Sequence, residues 1–243
     1  MKRILFFVFF MADFLFVSAQ TYNEWIDKSF ECIESEDWAG AEKALIGALR
    51  VQPANPQNAL LLSNLGTIQR KMGKNDEALK SYTITPRSVT LLMNRAALFS
   101  EMEKFDDALK DYNQVLMLDD KEEDALYLRG LIRLEKNDTT ACRKDFEQLL
   151  KINPKSSDAR IGLAALMKLR GYYTEAIDLY TQVIRVNPEQ ASLYLNRGEA
   201  YLLNRRLNKA DEDVAKALEL DPKDPLVYVL RAKLKLARYE KED

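Results

Sequence analysis

Apolar residues recur every three or four positions along most of this chain, and prolines interrupt the pattern at intervals. Leu126 and Gly130 mark one apolar stretch, while Phe146 and Leu149 mark the next. Residues with this spacing lie on one face of an α-helix. All seven prolines fall at the junctions between stretches, where they do not break a helix. The pattern therefore predicts an all-α chain of consecutive amphipathic helices.

The helical pattern repeats with a period of 34 residues. A small residue stands at positions 108, 142, 176 and 210, each 34 residues after the one before. Each unit is predicted to contain a first helix, a tight turn, a second helix and a loop that ends in proline. Gly73, Asn137 and Gly171 lie at predicted turns, where the backbone must be left-handed. The closing prolines are Pro53, Pro86, Pro154, Pro188 and Pro222.

Small and large residues occupy fixed positions within each unit. In the sixth unit, positions 4, 8, 11, 20, 24, 27 and 32 are Tyr194, Gly198, Tyr201, Ala210, Val214, Ala217 and Pro222. This pattern resembles the tetratricopeptide repeat (TPR) family. The resemblance implies a right-handed superhelical α-solenoid of helix-turn-helix repeats, with a TPR domain over residues 20–243 and a C-terminal capping helix over 225–240. The repeats are expected near residues 22–55, 59–88, 89–122, 123–156, 157–190 and 191–224.

The second repeat departs from the regular period. Three additional residues, 56–58, lengthen the loop before it, and only eight residues separate Ala78 from Pro86, where twelve are usual. A loss of four residues is close to one helical turn, so the same face still points inward. The sequence predicts a short second helix in this repeat, with a weaker seam or a lateral opening beside it.

Arginine recurs at position 7 of three repeats, and each of these repeats also carries aspartate at position 23. The fifth repeat has Leu163 and Leu179 at those positions and lacks both charges. The correlation predicts an ion pair between the two helices of a repeat, because a guanidinium can hold a carboxylate with two hydrogen bonds. The alternative is a ladder of arginines that binds an acidic partner. The predicted pairs join Arg95 to Asp111, Arg129 to Asp145 and Arg197 to Asp213.

The resemblance also implies that the first helix of each repeat lines a concave surface. The corresponding positions give an apolar floor with scattered acids, which we interpret as a groove for a protein or peptide partner. The alternative is that these side chains only pack against one another. The candidate groove residues are Met93, Ala97, Tyr127, Leu131, Leu134, Ile161, Ala165, Leu195, Glu199 and Leu202.

The composition argues against catalysis. The 243 residues include no histidine, which removes the commonest general base and the commonest transition-metal ligand. No metal, cofactor or nucleic-acid site is predicted, because charge is balanced at a net −2 and no Gly-rich loop or basic block is present. Cys32 and Cys142 fall in different repeats and are not expected to form a disulfide. We expect a non-enzymatic scaffold or adaptor.

The N-terminal residues have the pattern of a secretory signal peptide. Lys2 and Arg3 precede an apolar run, and small residues precede Gln20. We expect residues 1–19 to be removed between Ala19 and Gln20, which would give a periplasmic or secreted protein. The alternative is an uncleaved segment that tethers an accessory subunit of an envelope complex to the membrane.

Overall fold

The computed structural model of the protein describes residues 21–84 and 88–242. The predicted signal peptide, residues 1–19, and Pro86 lie outside the described residues. All regular secondary structure in the described residues is helical, which confirms the all-α prediction. Contacts divide the chain into two compact halves, with the boundary between Asp120 and Lys121.

The described residues of the N-terminal half form three pairs of helices. The first described helix, α1, spans residues 21–34. The others are α2 (Trp38–Val51), α3 (Asn58–Lys71), α4 (Asn75–Thr83), α5 (Val89–Glu101) and α6 (Phe105–Leu118).

The C-terminal half contains three further pairs and a final helix. They are α7 (Glu123–Glu135), α8 (Thr139–Ile152), α9 (Ser157–Leu169), α10 (Tyr173–Val186), α11 (Ala191–Leu203), α12 (Leu207–Leu220) and α13 (Pro225–Glu242).

Helix pairs pack in the same way throughout each half. The first helix of a repeat contacts its own second helix and the first helix of the next repeat, as α7 contacts α8 and α9, and α11 contacts α12 and α13. Neighbouring pairs therefore share their apolar faces, as in an α-solenoid.

A single left-handed residue joins the two helices of each repeat. Gly73, Asn137 and Gly171 have φ values of 75°, 59° and 80°, as the sequence predicts. The backbone N–H of the following residue binds the carbonyl five residues earlier, as Lys74 binds Gln69 at 2.8 Å, which ends the first helix in a Schellman motif. The same conformation occurs at Glu36, Glu103 and Arg205, with φ values of 57°, 56° and 58°, although these residue types do not favour it. The 34-residue period places Glu103 and Arg205 at this turn, one period before Asn137 and one after Gly171.

Phe146 shows why small residues alternate with large ones. Its ring is fully buried between α7 and α9. A Cβ atom on either Gly130 or Gly162 would lie only 2.5 Å from a ring carbon. The two glycines therefore leave the space that this aromatic side chain fills, and the helices approach closely around it.

The second repeat has the predicted short helix. Helix α4 has nine residues, whereas α2 and α6 have 14 each. The long loop before α3 is held by the buried Asn58, which donates to the carbonyl oxygens of Gln52 and Pro53 at 2.7 and 3.1 Å. A cleft of about 410 Å³ opens between this loop and Ile84, which follows α4.

Candidate functional site

The structure brings together all three predicted ion pairs. Arg95 donates from Nε and Nη2 to Asp111 at 2.7 Å in both bonds. Arg197 holds Asp213 in the same bidentate way at 2.8 and 2.6 Å. The third pair, Arg129 with Asp145, has bonds of 3.2 and 2.6 Å. The arginine side chains are only 14–18% exposed, so they are poorly placed to form a ladder for an external acidic partner.

Two of these arginines also contact the preceding repeat. Nη1 of Arg197 donates to the hydroxyl of Thr181 in α10 at 3.0 Å, and Nη1 of Arg95 donates to that of Thr83 in α4 at 3.2 Å. Thr181 lies 16 residues before Arg197, and Thr83 lies 12 before Arg95. The two intervals differ by four residues, which is the number missing from the second repeat. Sequence reasoning missed this link, although threonine at position 25 of both preceding repeats was a usable signal.

A second cation reaches one of the aspartates. Arg133, at position 11 of its repeat, donates to Oδ2 of Asp145 at 2.6 Å, the oxygen that also accepts from Nε of Arg129. The second repeat has a neutral pair at the same two positions, where Ser81 donates to Gln69 at 2.8 Å. A polar link between the helices therefore persists where the arginine is absent.

An open cleft lies along the first helices of the C-terminal half. Its volume is about 610 Å³, which is within the usual range for ligand sites. We call it the α7–α9–α11 cleft because those three helices supply its walls. Its lining residues are Leu134, Glu135, Asn137, Ala165, Lys168, Leu169, Glu199 and Leu203.

Glu199 lies between two lysines at this cleft. Lys168 of α9 donates to its carboxylate at 2.5 Å, and Lys233 of α13 lies 3.7 Å away. Burial raises the pKa of Glu199. The hydrogen bond and charge of Lys168, together with the charge of Lys233, lower this pKa by more than burial raises it. The pKa therefore lies below its usual value of 4.5. The carboxylate is therefore ionised and neutralised by its neighbours. Glu135, at the rim, is exposed and makes no ion pair with a described residue.

Known repeat families match several segments of the chain. A model described as TPR repeat matches residues 168–204, and models described as Tetratricopeptide repeat match 61–85, 124–156 and 191–224. A tetratricopeptide repeat protein from Parabacteroides merdae ATCC 43184 is 40% identical over 92% of this chain and 89% of that chain, with a TM-score of 0.81. The chain belongs to the tetratricopeptide repeat family.

Two more distant TPR structures share the fold. Pseudomonas aeruginosa pilF is 15% identical over 89% of this chain and 99% of that chain, with a TM-score of 0.69. YrrB, described as a TPR protein with an unusual peptide-binding site, is 18% identical over 79% of this chain and 100% of that chain, with a TM-score of 0.57. At these identities the likeness shows the fold alone. No curated protein matches the chain.

The TPR groove residues expected from the sequence fall into three groups. Leu134, Ala165 and Glu199 line the α7–α9–α11 cleft. Five others are half-buried and pack against the core beneath the first helices, namely Tyr127, Leu131, Ile161, Leu195 and Leu202. Met93 and Ala97 are half-buried on α5 of the N-terminal half.

The final TPR helix contributes residues that sequence reasoning missed. Val229, Lys233 and Leu236 lie 34 residues after Leu195, Glu199 and Leu202. Val229 and Leu236 are 50% and 60% exposed, and Lys233 reaches Glu199. Helix α13, expected as a capping helix, therefore also carries exposed apolar side chains. The 34-residue period contained the signal, since it assigns these residues to the groove positions.

Other chemistry is sparse in the described part of this TPR chain. No group of three or more Cys, Asp or Glu side chains there is arranged to hold a metal ion. No helix among residues 21–84 and 88–242 combines the length and apolarity needed to cross a bilayer. Cys32 and Cys142 are free thiols, and burial raises the pKa of Cys142.

Proposed function

We propose that this TPR chain is a non-enzymatic scaffold that binds a peptide segment of another protein in the α7–α9–α11 cleft. The observation that carries the proposal is the cleft itself. Three consecutive first helices build it, it measures about 610 Å³, and four apolar side chains line it together with four polar or charged ones. Peptide-binding clefts commonly combine these features. The peptide-binding site attributed to YrrB provides a precedent on the same fold.

The lining residues indicate the chemistry of the ligand. Leu169 and Leu203 are 55% and 44% exposed and offer apolar surface to an incoming side chain. Glu135 supplies an exposed negative charge at the rim, whereas Glu199 is already neutralised by Lys168. We therefore expect a short segment that places a large apolar residue in the cleft and a lysine or arginine beside Glu135.

A displayed-peptide selection on the full chain tests this proposal. We expect enrichment of peptides that combine an apolar and a basic residue, and a loss of affinity of about tenfold or more in the Leu203→Glu variant. Val186→Glu is the matched control, because Val186 is 72% exposed on α10 and does not line the cleft. Equal affinity of the selected peptides for both variants would show that they bind elsewhere, and the proposal would then be wrong.

Export is the second part of the proposal. Its support is the N-terminal sequence, in which Lys2 and Arg3 precede an apolar run and small residues precede Gln20. N-terminal sequencing of the protein from its native host tests this directly. A mature chain that begins at Gln20 is the expected result, in the periplasm or outside the cell. An intact Met1 in the membrane fraction would favour the tethered accessory subunit instead.

A further inference from the structure

Helix α13 occupies the place of the first helix of a seventh repeat. Tyr228 donates its hydroxyl to the carbonyl oxygen of Pro222 at 2.8 Å, just as Tyr194 in α11 donates to that of Pro188 at 2.9 Å. Tyr228 lies 34 residues after Tyr194. The position and the local hydrogen bond are thus the same in both helices.

The two helices differ in what covers them. Tyr194 is 9% exposed, whereas Tyr228 is 49% exposed. Gly198 is buried because α12 lies over it, with the carbonyl oxygen of Ala210 3.6 Å from the position of an added Cβ. Its counterpart Ala232 is exposed. No helix of the described residues packs on this side of α13, which we call the open face: Tyr228, Arg231, Ala232 and Lys235.

The open face repeats the charges that hold a second helix elsewhere. Arg231 and Lys235 lie 102 residues, or three periods, after Arg129 and Arg133. In α7 those two arginines both donate to the carboxylate of Asp145 in α8. Arg231 and Lys235 are exposed and form no ion pair with a described residue. The open face thus has the small residue, Ala232, and both cations, but no described residue supplies the carboxylate that Asp145 supplies to α7.

We propose that the open face binds an amphipathic helix of a protein partner that resembles a second TPR helix. The partner helix carries a small residue against Ala232, an aspartate three positions later between Arg231 and Lys235, and a large apolar residue immediately after it. The chain's own second helices provide this template. It reads Ala108, Asp111 and Tyr112 in α6; Cys142, Asp145 and Phe146 in α8; and Ala210, Asp213 and Val214 in α12.

Charge favours a partner helix over a second copy of α13. Two copies packed through their open faces would bring Arg231 and Lys235 of both chains together, and like charges across an interface are unfavourable. An acidic helix satisfies both cations and covers Tyr228 and Ala232 together. This interaction is independent of the α7–α9–α11 cleft, because α13 residues do not line that cleft.

A helical peptide with the sequence of residues 104–119 is a direct probe of the open face. A lactam between Asp106 and Lys110, which are both exposed on α6, keeps it helical without touching Ala108 or Asp111. We expect saturable binding to the full chain in fluorescence anisotropy. The peptide with Asp111→Asn, and the protein with Arg231→Glu and Lys235→Glu, should each bind about tenfold or more weakly.

Three protein variants separate this site from other binding. Ala232→Trp fills the space for the small residue and should abolish binding. A protein with Lys155→Glu and Arg185→Glu has the same change in net charge at exposed positions elsewhere and should bind as the parent does. Leu203→Glu alters only the cleft and should also bind normally, so the two proposals can fail separately.

Three results would overturn the inference. The first is no binding at peptide concentrations of about 1 mM. The second is equal loss in the charge-matched control, which would indicate a general electrostatic effect. The third is a dimer of the unliganded chain in sedimentation that dissociates in the Ala232→Trp variant, because a second copy would then occupy the face.

Discussion

Asp213 of α12 accepts two hydrogen bonds from Arg197 of α11, at 2.8 and 2.6 Å, and is only 4% exposed. The hydrogen bond to Asp213 raises the pKa of Arg197, which therefore stays charged. The fifth repeat places Leu163 and Leu179 at the same two positions. The same two repeat positions are thus occupied by an ion pair in the sixth repeat and by two leucines in the fifth.

The first prediction uses this internal comparison. Arg197→Leu alone leaves the buried carboxylate of Asp213 without its partner, and should lower the free energy of unfolding by about 3–5 kcal/mol. The double variant Arg197→Leu with Asp213→Leu copies the fifth repeat and should be near neutral or more stable. Urea unfolding measures both. A double variant as unstable as the single one would show that the ion pair is not exchangeable for apolar packing.

The second prediction concerns two glycines at the same repeat position. A Cβ on Gly130 would lie 2.5 Å from the ring of Phe146, whereas on Gly198 its nearest neighbour is Cβ of Asp213 at 3.2 Å. Gly130→Ala should lose about 2 kcal/mol by overpacking. Gly198→Ala should be neutral or gain up to about 1 kcal/mol from helix propensity. Thermal or urea unfolding ranks the two variants, and the reverse order would contradict the packing described around Phe146.

The third prediction is a pKa. The pKa of Glu199 lies below 4.5 because Lys168 and Lys233 outweigh the effect of burial. Since the folded pKa is lower than the unfolded one, the ionised carboxylate stabilises the fold above pH 4.5, and this contribution is lost as the pH falls through the folded pKa. Lys168→Met should raise the pKa in a carboxyl-selective NMR titration, while Glu199→Gln should remove this part of the acid dependence of stability. An unchanged titration in Lys168→Met would refute the assignment.

The fourth prediction concerns the turns between paired helices. Arg205 has a φ of 58°, and this left-handed conformation costs an L-residue about 1–2 kcal/mol. Glycine removes that cost but has more conformational entropy in the unfolded chain. Arg205→Gly should therefore stabilise the protein by about 0.5–1 kcal/mol. Asn137→Gly is the matched comparison and should gain less, because asparagine tolerates this conformation. Gly171→Ala should be destabilising. The free energies of unfolding of the three variants give the test.

The sequence was sufficient for features that depend on period. The helices, the short α4 and the three ion pairs follow from residue types at 34-residue intervals, because stacking forces equivalent positions into equivalent surroundings. It was not sufficient where the surroundings override residue preference. Glu36, Glu103 and Arg205 adopt the left-handed conformation because the packed helices on both sides require the turn, although these residue types do not favour it. For Glu103 and Arg205 only the 34-residue period, counted from Asn137 and Gly171, indicates the turn.

The candidate site was predicted less completely than the fold. Leu134, Ala165 and Glu199, which were expected on the first helices, line the cleft, but long side chains such as Lys168 and Lys233 take positions that only the packed structure defines. The apolar side chains that α13 exposes were not anticipated from the sequence: Leu236 and Tyr239 are 60% and 68% exposed.

The hydrogen bond from Arg197 to Thr181 has a mechanical consequence. This bond joins the fifth repeat to the sixth, so a pulling force should separate these two repeats less easily and they should unfold together. Leu163 provides no such fastening between the fourth and fifth repeats, where α8 and α9 meet around Phe146. If the C-terminal half is pulled from its ends, the fourth and fifth repeats should separate before the fifth and sixth do.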